Sequence, residues 1–227
     1  MSPVTDAVRT QLCGFYEEAE PAEAQMKFLG ADSLTLLRFG PDTGGVVTYA
    51  TLGCSANPMH DPSDFMPDPN SGPRAELVLP IVGGLDAVIR PLAMLASSPT
   101  VEGLILQEGA LLDFGAPLWP DARFTGFVLA DADVPDVTVD HDGSPVTVNV
   151  LQPIPATPNE FALARAKGVP ELRAKWAERG TVLADPHRAS VVQTPGAAHV
   201  PGAGTPGHGR PGGTARRGPG PRAPARR

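Results

Sequence analysis

Val4, Val8, Leu12 and Phe15 recur at helical spacing, and the polar residues between them predict an amphipathic helix over residues 4–19. From residue 33 the period changes. SLTLLRF (33–39) and VVTYATLG (46–53) are apolar runs, the second rich in β-branched and aromatic residues, and GPDTGG between them is a turn cluster. Together they predict a hairpin. RAELVLPIV (74–82) reads as a buried strand. The segment before it, 54–73, has five prolines and neither period, so a long loop is expected there. Leu85, Val88, Ile89, Leu92 and Leu95 share one face of a helix over 85–98, which Pro91 should kink or interrupt. Residues 101–129 alternate short apolar runs with glycine, as short strands or extended connections at a sheet edge do. DVTVDHDGSPVTVNVL (136–151) predicts a hairpin turning at HDGS. No repeat of solenoid period is present.

The stretch IPATPNEFALARAKG (154–168) has the most ordered local pattern. Thr157 stands as N-cap, Pro158 at the first helical position and Glu160 three residues after the cap, the spacing of a capping box. Gly168 supplies the stop. A second helix follows from Pro170 to Gly180, with Val169, Leu172 and Trp176 on one face. Read this way, Glu160 is a cap whose removal costs about 1 kcal/mol or less, and no catalysis is needed to explain it.

Composition changes the picture at the C-terminus. Residues 195–227 hold 7 Pro, 9 Gly, six Arg and no acid, with Val200 as the only large aliphatic side chain. Such a segment cannot bury enough apolar surface to offset ordering entropy. The expected organisation is therefore a folded domain at 1–192 and a disordered Gly/Pro/Arg-rich tail at 193–227. The chain carries −7 and the tail +6, so residues 1–194 carry −13. An acidic body favours basic partners and disfavours anionic membranes and nucleic acid, leaving only weak, salt-sensitive phosphate contacts to the tail. Cys13 and Cys54 form no CxxC pair and read as buried filler. No basic, apolar leader pattern opens the chain and no run approaches the roughly 20 apolar residues of a membrane span, so a cytoplasmic protein is expected.

Candidate chemistry is sparse. His60, Asp61, Asp64, Asp68 and Asn70 in the 54–73 loop offer oxygen and nitrogen ligands for a hard cation, and a metal-dependent hydrolase using the acidic 60–70 loop is the alternative they support. Their spacing matches no EF-hand, HExxH or CxxC site. Cys54-Ser55 follows a strand but lacks a GxSxG elbow, and neither His141, in a turn, nor His187, past the last helix, has an evident place beside it. Gly83-Gly84 lacks both GxGxxG and a P-loop lysine, and the chain has only Lys27, Lys167 and Lys175. These absences point away from an enzyme and imply neither cofactor nor metal.

Five segments in order resemble the suppressor of fused domain family: VVTYATLGCSANP, RAELVLPI, LDAVIRPLAMLA, LLDFGAPLWPDARFTGFVLA and VTVNVLQPIPATPNEFALARAKGVPELRAKW. The carrying residues are Glu76 and Leu77, the Gly115-x-Pro117-Leu118 segment, then Pro153, Pro155, Thr157, Glu160, Gly168 and Leu172. The resemblance spans roughly 25–192. It implies an α+β fold, with a mixed, largely antiparallel sheet flanked by helices, and protein binding rather than catalysis. The animal founder restrains transcription factors, partly by adding a partner strand to its sheet. Bacterial members are proposed to be immunity proteins that neutralise toxins, and the Ala/Gly/Pro/Arg bias fits a bacterial genome of high GC content. A protein partner is therefore expected, a basic toxin or a regulatory protein. The acidic loop with its two large apolar residues is the expected contact, through Asp61, Asp64, Phe65, Met66 and Asp68.

Overall fold

The computed structural model describes residues 2–27, 33–61, 63, 65, 66, 68, 71–141 and 143–192. The tail expected at 193–227 lies outside the described residues, as do Asp64 and Asn70.

Helix α1 (Pro3–Phe15) begins where Ser2 accepts a hydrogen bond from the Thr5 amide at 3.2 Å, with proline at the first helical position. It buries Val4, Val8 and Leu12 of the predicted face, whereas Phe15, the last residue of the helix, is 43% exposed. The helix ends four residues before position 19, because Glu17 adopts φ 52° and turns the chain. Strand β1 (Ala22–Met26) follows, an element the sequence pattern does not announce. AEAQM contains no β-branched residue; it is a strand because β2 (Leu34–Phe39) pairs with it. β2 and β3 (Val46–Leu52) form the expected antiparallel hairpin. Its turn is held by Asp42 Oδ1, which accepts from Gly44 N and Val46 N, each at 2.8 Å.

A 3-10 turn, Cys54–Ala56, opens the long loop, and β4 (Arg74–Val82) returns antiparallel to β3. A further 3-10 turn, Asp86–Val88, leads into α2 (Ile89–Glu102). Pro91 does not interrupt this helix. It is the third helical residue, in the first turn, where the N–H has no partner inside the helix. The interior proline is Pro99, and the carbonyl it leaves unpaired four residues back, that of Leu95, accepts instead from Ser98 Oγ at 2.7 Å. The glycine-punctuated stretch resolves into β5 (Leu111–Asp113) and β6 (Gly126–Asp131), an antiparallel pair. A Cβ on Gly126 would lie 2.0 Å from the Leu112 carbonyl oxygen, so only glycine permits that approach.

β7 (Val137–His141) and β8 (Ser144–Ala156) make the second predicted hairpin, but β8 runs on through Pro153 and Pro155. Two prolines fit a central strand here because β4 pairs with β8 only over 148–151. Beyond Leu151, β8 has, among the described residues, a strand on the β6 side alone, and alternate residues of an antiparallel strand aim their N–H away from that neighbour. Helices α3 (Pro158–Lys167) and α4 (Val169–Glu178) close the fold.

Among the described residues the sheet order is β1-β2-β3-β4-β8-β6-β5, with β7 on β8, and only the β4–β8 pair is parallel. Both faces are covered. Leu77, Leu79 and Ile81 pack with Leu92, Leu95 and Ala96 of α2, whereas Leu37, Ala50, Val78 and Val148 pack with Val4, Val8 and Leu12 of α1. A third cluster joins Val128 and Ile154 to Phe161, Leu172 and Trp176 of α3 and α4. Cover on both faces explains why RAELVLPIV lacks alternation.

Candidate functional site

The 57–73 loop is built as a fixed neck with an exposed tip. Glu76 of β4 is fully buried and roots it. One carboxylate oxygen accepts from Thr51 Oγ1 at 2.6 Å; the other accepts from Gly53 N at 2.8 Å, Ser55 N at 3.0 Å and Ser55 Oγ at 2.7 Å. Arg74 Nη1 donates to the carbonyls of Ser55 and Ala56 at 2.8 and 2.7 Å. Met59 N donates to Pro73 O at 2.8 Å and closes the neck; a Cβ on Gly72 would stand 2.6 Å from Met59 O. Beyond this neck Phe65 is 97% and Met66 84% exposed. Asp61 is exposed and accepts from Ser63 Oγ and Ser63 N, bonds that hold its carboxyl below the usual range. Asp68 is exposed, and its carbonyl accepts from Ser71 N at 3.1 Å. Four of the five expected contact residues thus lie on one solvent-facing loop; the fifth, Asp64, lies outside the described residues.

Among the described residues, no three His, Cys, Asp or Glu side chains converge as a metal site. Cys54 donates to the Ala96 carbonyl at 3.2 Å, and burial, then the nearby Glu76 charge, push its thiol pKa well up. That setting suppresses the thiolate.

Glu160 is more than a cap. The capping box is present: Glu160 Oε2 accepts from Thr157 N at 2.9 Å, and Glu160 N donates to Thr157 Oγ1 at 3.4 Å. The same fully buried carboxylate also accepts from Trp176 Nε1 at 3.0 Å, Arg188 Nη1 at 2.7 Å, Arg188 Nη2 at 3.1 Å and Val191 N at 3.2 Å. Arg188 is buried between rings, 4.9 Å from the Phe124 centroid and 5.4 Å from that of Trp176. Burial works to raise the Glu160 pKa, but the hydrogen bonds and charge of Arg188, with Thr157 N and Trp176, outweigh it and hold it below the ordinary value. Arg188 is the residue sequence reasoning missed. It lies 28 positions from Glu160 in an irregular segment, and no local pattern marks it.

The remaining motif residues are architectural. Leu77 and Leu172 are fully buried, and Pro153 and Pro155 are paired with Leu129 and Phe127 of β6. Gly115 and Gly168 take φ of 68° and 90°. Pro117 lines an open groove of about 480 Å³ between the start of α2 and residues 114–120.

Among the described residues the most exposed large apolar side chains, Phe65 and Met66, sit on a loop rooted by buried hydrogen bonds. The profile of the family described as Suppressor of fused protein (SUFU) matches residues 30–189, and the chain belongs to that family. Solved structures agree on the fold. One is described as a suppressor of fused homologue from Neisseria gonorrhoeae, with a TM-score of 0.60 at 19% identity, over 84% of this chain and 97% of that one. A Sufu–Fu complex matches with a TM-score of 0.62 at 12% identity, over 82% of this chain and 91% of that one. Drosophila Suppressor of Fused matches with a TM-score of 0.60 at 13% identity, over 84% of this chain but only 54% of that one. Comparison with curated proteins gave no significant match.

Proposed function

We propose that this chain is a non-enzymatic, protein-binding domain that presents the 57–73 loop to a basic partner, in the manner of an immunity-type inhibitor meeting a toxin. The observation that carries the reading is the consecutive pair Phe65 and Met66, 97% and 84% exposed beyond a neck fixed by buried hydrogen bonds. Covering such side chains contributes roughly 1.5–3 kcal/mol each, enough to make them the centre of an interface. Asp61 and Asp68 flank them, and the −13 body steers a basic surface toward the acids. A relative solved as a complex with Fu supports binding as the mode of action. Two free cysteines suit a reducing, cytoplasmic setting.

The test is co-purification from the native host, with the double variant Phe65→Ser/Met66→Ser beside the unmodified chain. Its stability should stay within about 0.5 kcal/mol, since neither side chain is packed, while capture of the partner is lost. Undiminished capture would remove the loop from the interface. Substrate turnover with no specific partner would overturn the binding reading itself. Protection of cells expressing the captured toxin would establish the immunity role.

A further inference from the structure

The loop neck borders a second feature that the protein-binding reading does not use. β8 starts at Ser144, but its ladder with β4 starts only at Arg74 opposite Val148. Residues 144–147 therefore have β7 on one side and, among the described residues, no strand on the other. The notch left ahead of β4 has a volume of about 450 Å³. It is lined by Ser144–Thr147, by Asp68, Ser71 and Gly72 of the loop, and by His141 and Arg74.

Arg74 is 3% exposed, and its charge is met by no carboxylate within ion-pair distance among the described residues. Glu76, two residues on along the same face, is saturated by Thr51, Gly53 and Ser55. Only Arg74 Nη1 is committed, to the carbonyls of Ser55 and Ala56. Nε and Nη2 take no acceptor among the described residues. Arg74 is itself one of the residues that line the notch. Burial without a counter-charge lowers the pKa of this arginine, the mark of a cation that an added anion would stabilise.

We propose that the notch takes the carboxylate of an extended segment of the partner protein, with the free edge of Arg74 holding the carboxylate and the unpaired edge at 144–147 holding the segment's main chain. The inference rests on the protein-binding reading above and adds a second contact to it. Three observations select this occupant. The fork geometry of a guanidinium suits a carboxylate through two parallel N–H donors. The volume exceeds what a lone anion fills, and its wall is a strand edge, which accepts backbone. The −13 body repels polyphosphates, whereas one carboxylate on an otherwise neutral or basic segment meets a local, partly desolvated cation.

The experiment follows the Arg74 Nε–H and the amides of 144–147 by NMR in the full chain. Probes are the capped tripeptide acetyl-Val-Glu-Val-amide, its Gln counterpart, acetate and inorganic phosphate. The Glu peptide should shift both sets of signals, acetate only Arg74, and the Gln peptide neither at equal concentration. Arg74→Lys should abolish the shifts at 144–147. Because that variant also loosens the Ser55–Ala56 turn, Ser144→Glu serves as the second; Ser144 is exposed, and the added charge should weaken the Glu peptide about threefold or more. Equal response to Glu and Gln peptides, preference for phosphate, or indifference to Ser144→Glu would each overturn the proposal. The two readings separate cleanly. Partner capture that depends on Phe65 and Met66 but not on Ser144→Glu would sink the notch and leave protein binding standing; peptide shifts without any captured partner would do the reverse.

Discussion

Replacing Glu160 by glutamine separates a helix cap from a buried ionic hub. As a cap alone, Glu160 is worth about 1 kcal/mol or less. The structure requires more. Its carboxylate is fully buried and takes five hydrogen bonds, two from an arginine that is itself 6% exposed. Removing one partner of a buried pair costs about 3–5 kcal/mol, because the other charge is left without compensation. Glutamine keeps the shape and one acceptor oxygen but turns an amide toward Arg188, so the lower end, about 3 kcal/mol, is expected. In a chain of this size that lowers Tm by roughly 6–12 °C. The assay is urea and thermal unfolding of Glu160→Gln, Arg188→Met and the double variant. Each single change should destabilise, and the double should recover part of the loss, since neither charge is then orphaned. The acid limb gives a second readout. The folded pKa of Glu160 lies below its ordinary 4.5, so its contribution is complete above that value and is lost as pH falls through the folded pKa. Glu160→Gln should therefore flatten the decline in stability below pH 4.5. A loss near 1 kcal/mol, or a double variant no better than the worse single one, would refute the hub.

Three further outcomes are expected. Glu76→Gln places an amide donor against the Thr51, Gly53 and Ser55 donors and should destabilise by about 1–3 kcal/mol, with hydrogen exchange at residues 53–56 rising most. Gly126→Ala drives a Cβ into Leu112 O at 2.0 Å; overpacking of about 1–3 kcal/mol or more and loss of amide protection across β5 and β6 should follow. Cys54, with its thiol pKa raised by burial and by Glu76, should react with a thiol reagent far more slowly in the native protein than in denaturant, and equal rates would contradict its placement.

What local pattern determined is instructive by its location. The 33–39/46–53 hairpin, the 74–82 strand, the 136–151 hairpin and the capped helix at 157 were legible because turn chemistry, strand period and capping act within a few residues. The exposure of Phe65 and Met66 followed from a proline-rich stretch with no period. The misses share a different cause. β1 is a strand only because β2 is beside it, and Pro91 is harmless only because α2 starts at Ile89. β8 carries Pro153 and Pro155 only because β4 pairs no further than Leu151. Glu160 shows the division most clearly. Its spacing from Thr157 fixes a helix start, a property of four consecutive residues. Its role as a hub depends on Trp176, Arg188 and Val191 arriving from 16, 28 and 31 positions away. Arg74 is likewise unremarkable in the chain, and becomes a buried, half-used cation only where two strands begin out of step. Short-range hydrogen bonding is written in neighbouring residues; burial, and therefore the energy of a charge, is decided by what the whole fold brings around it.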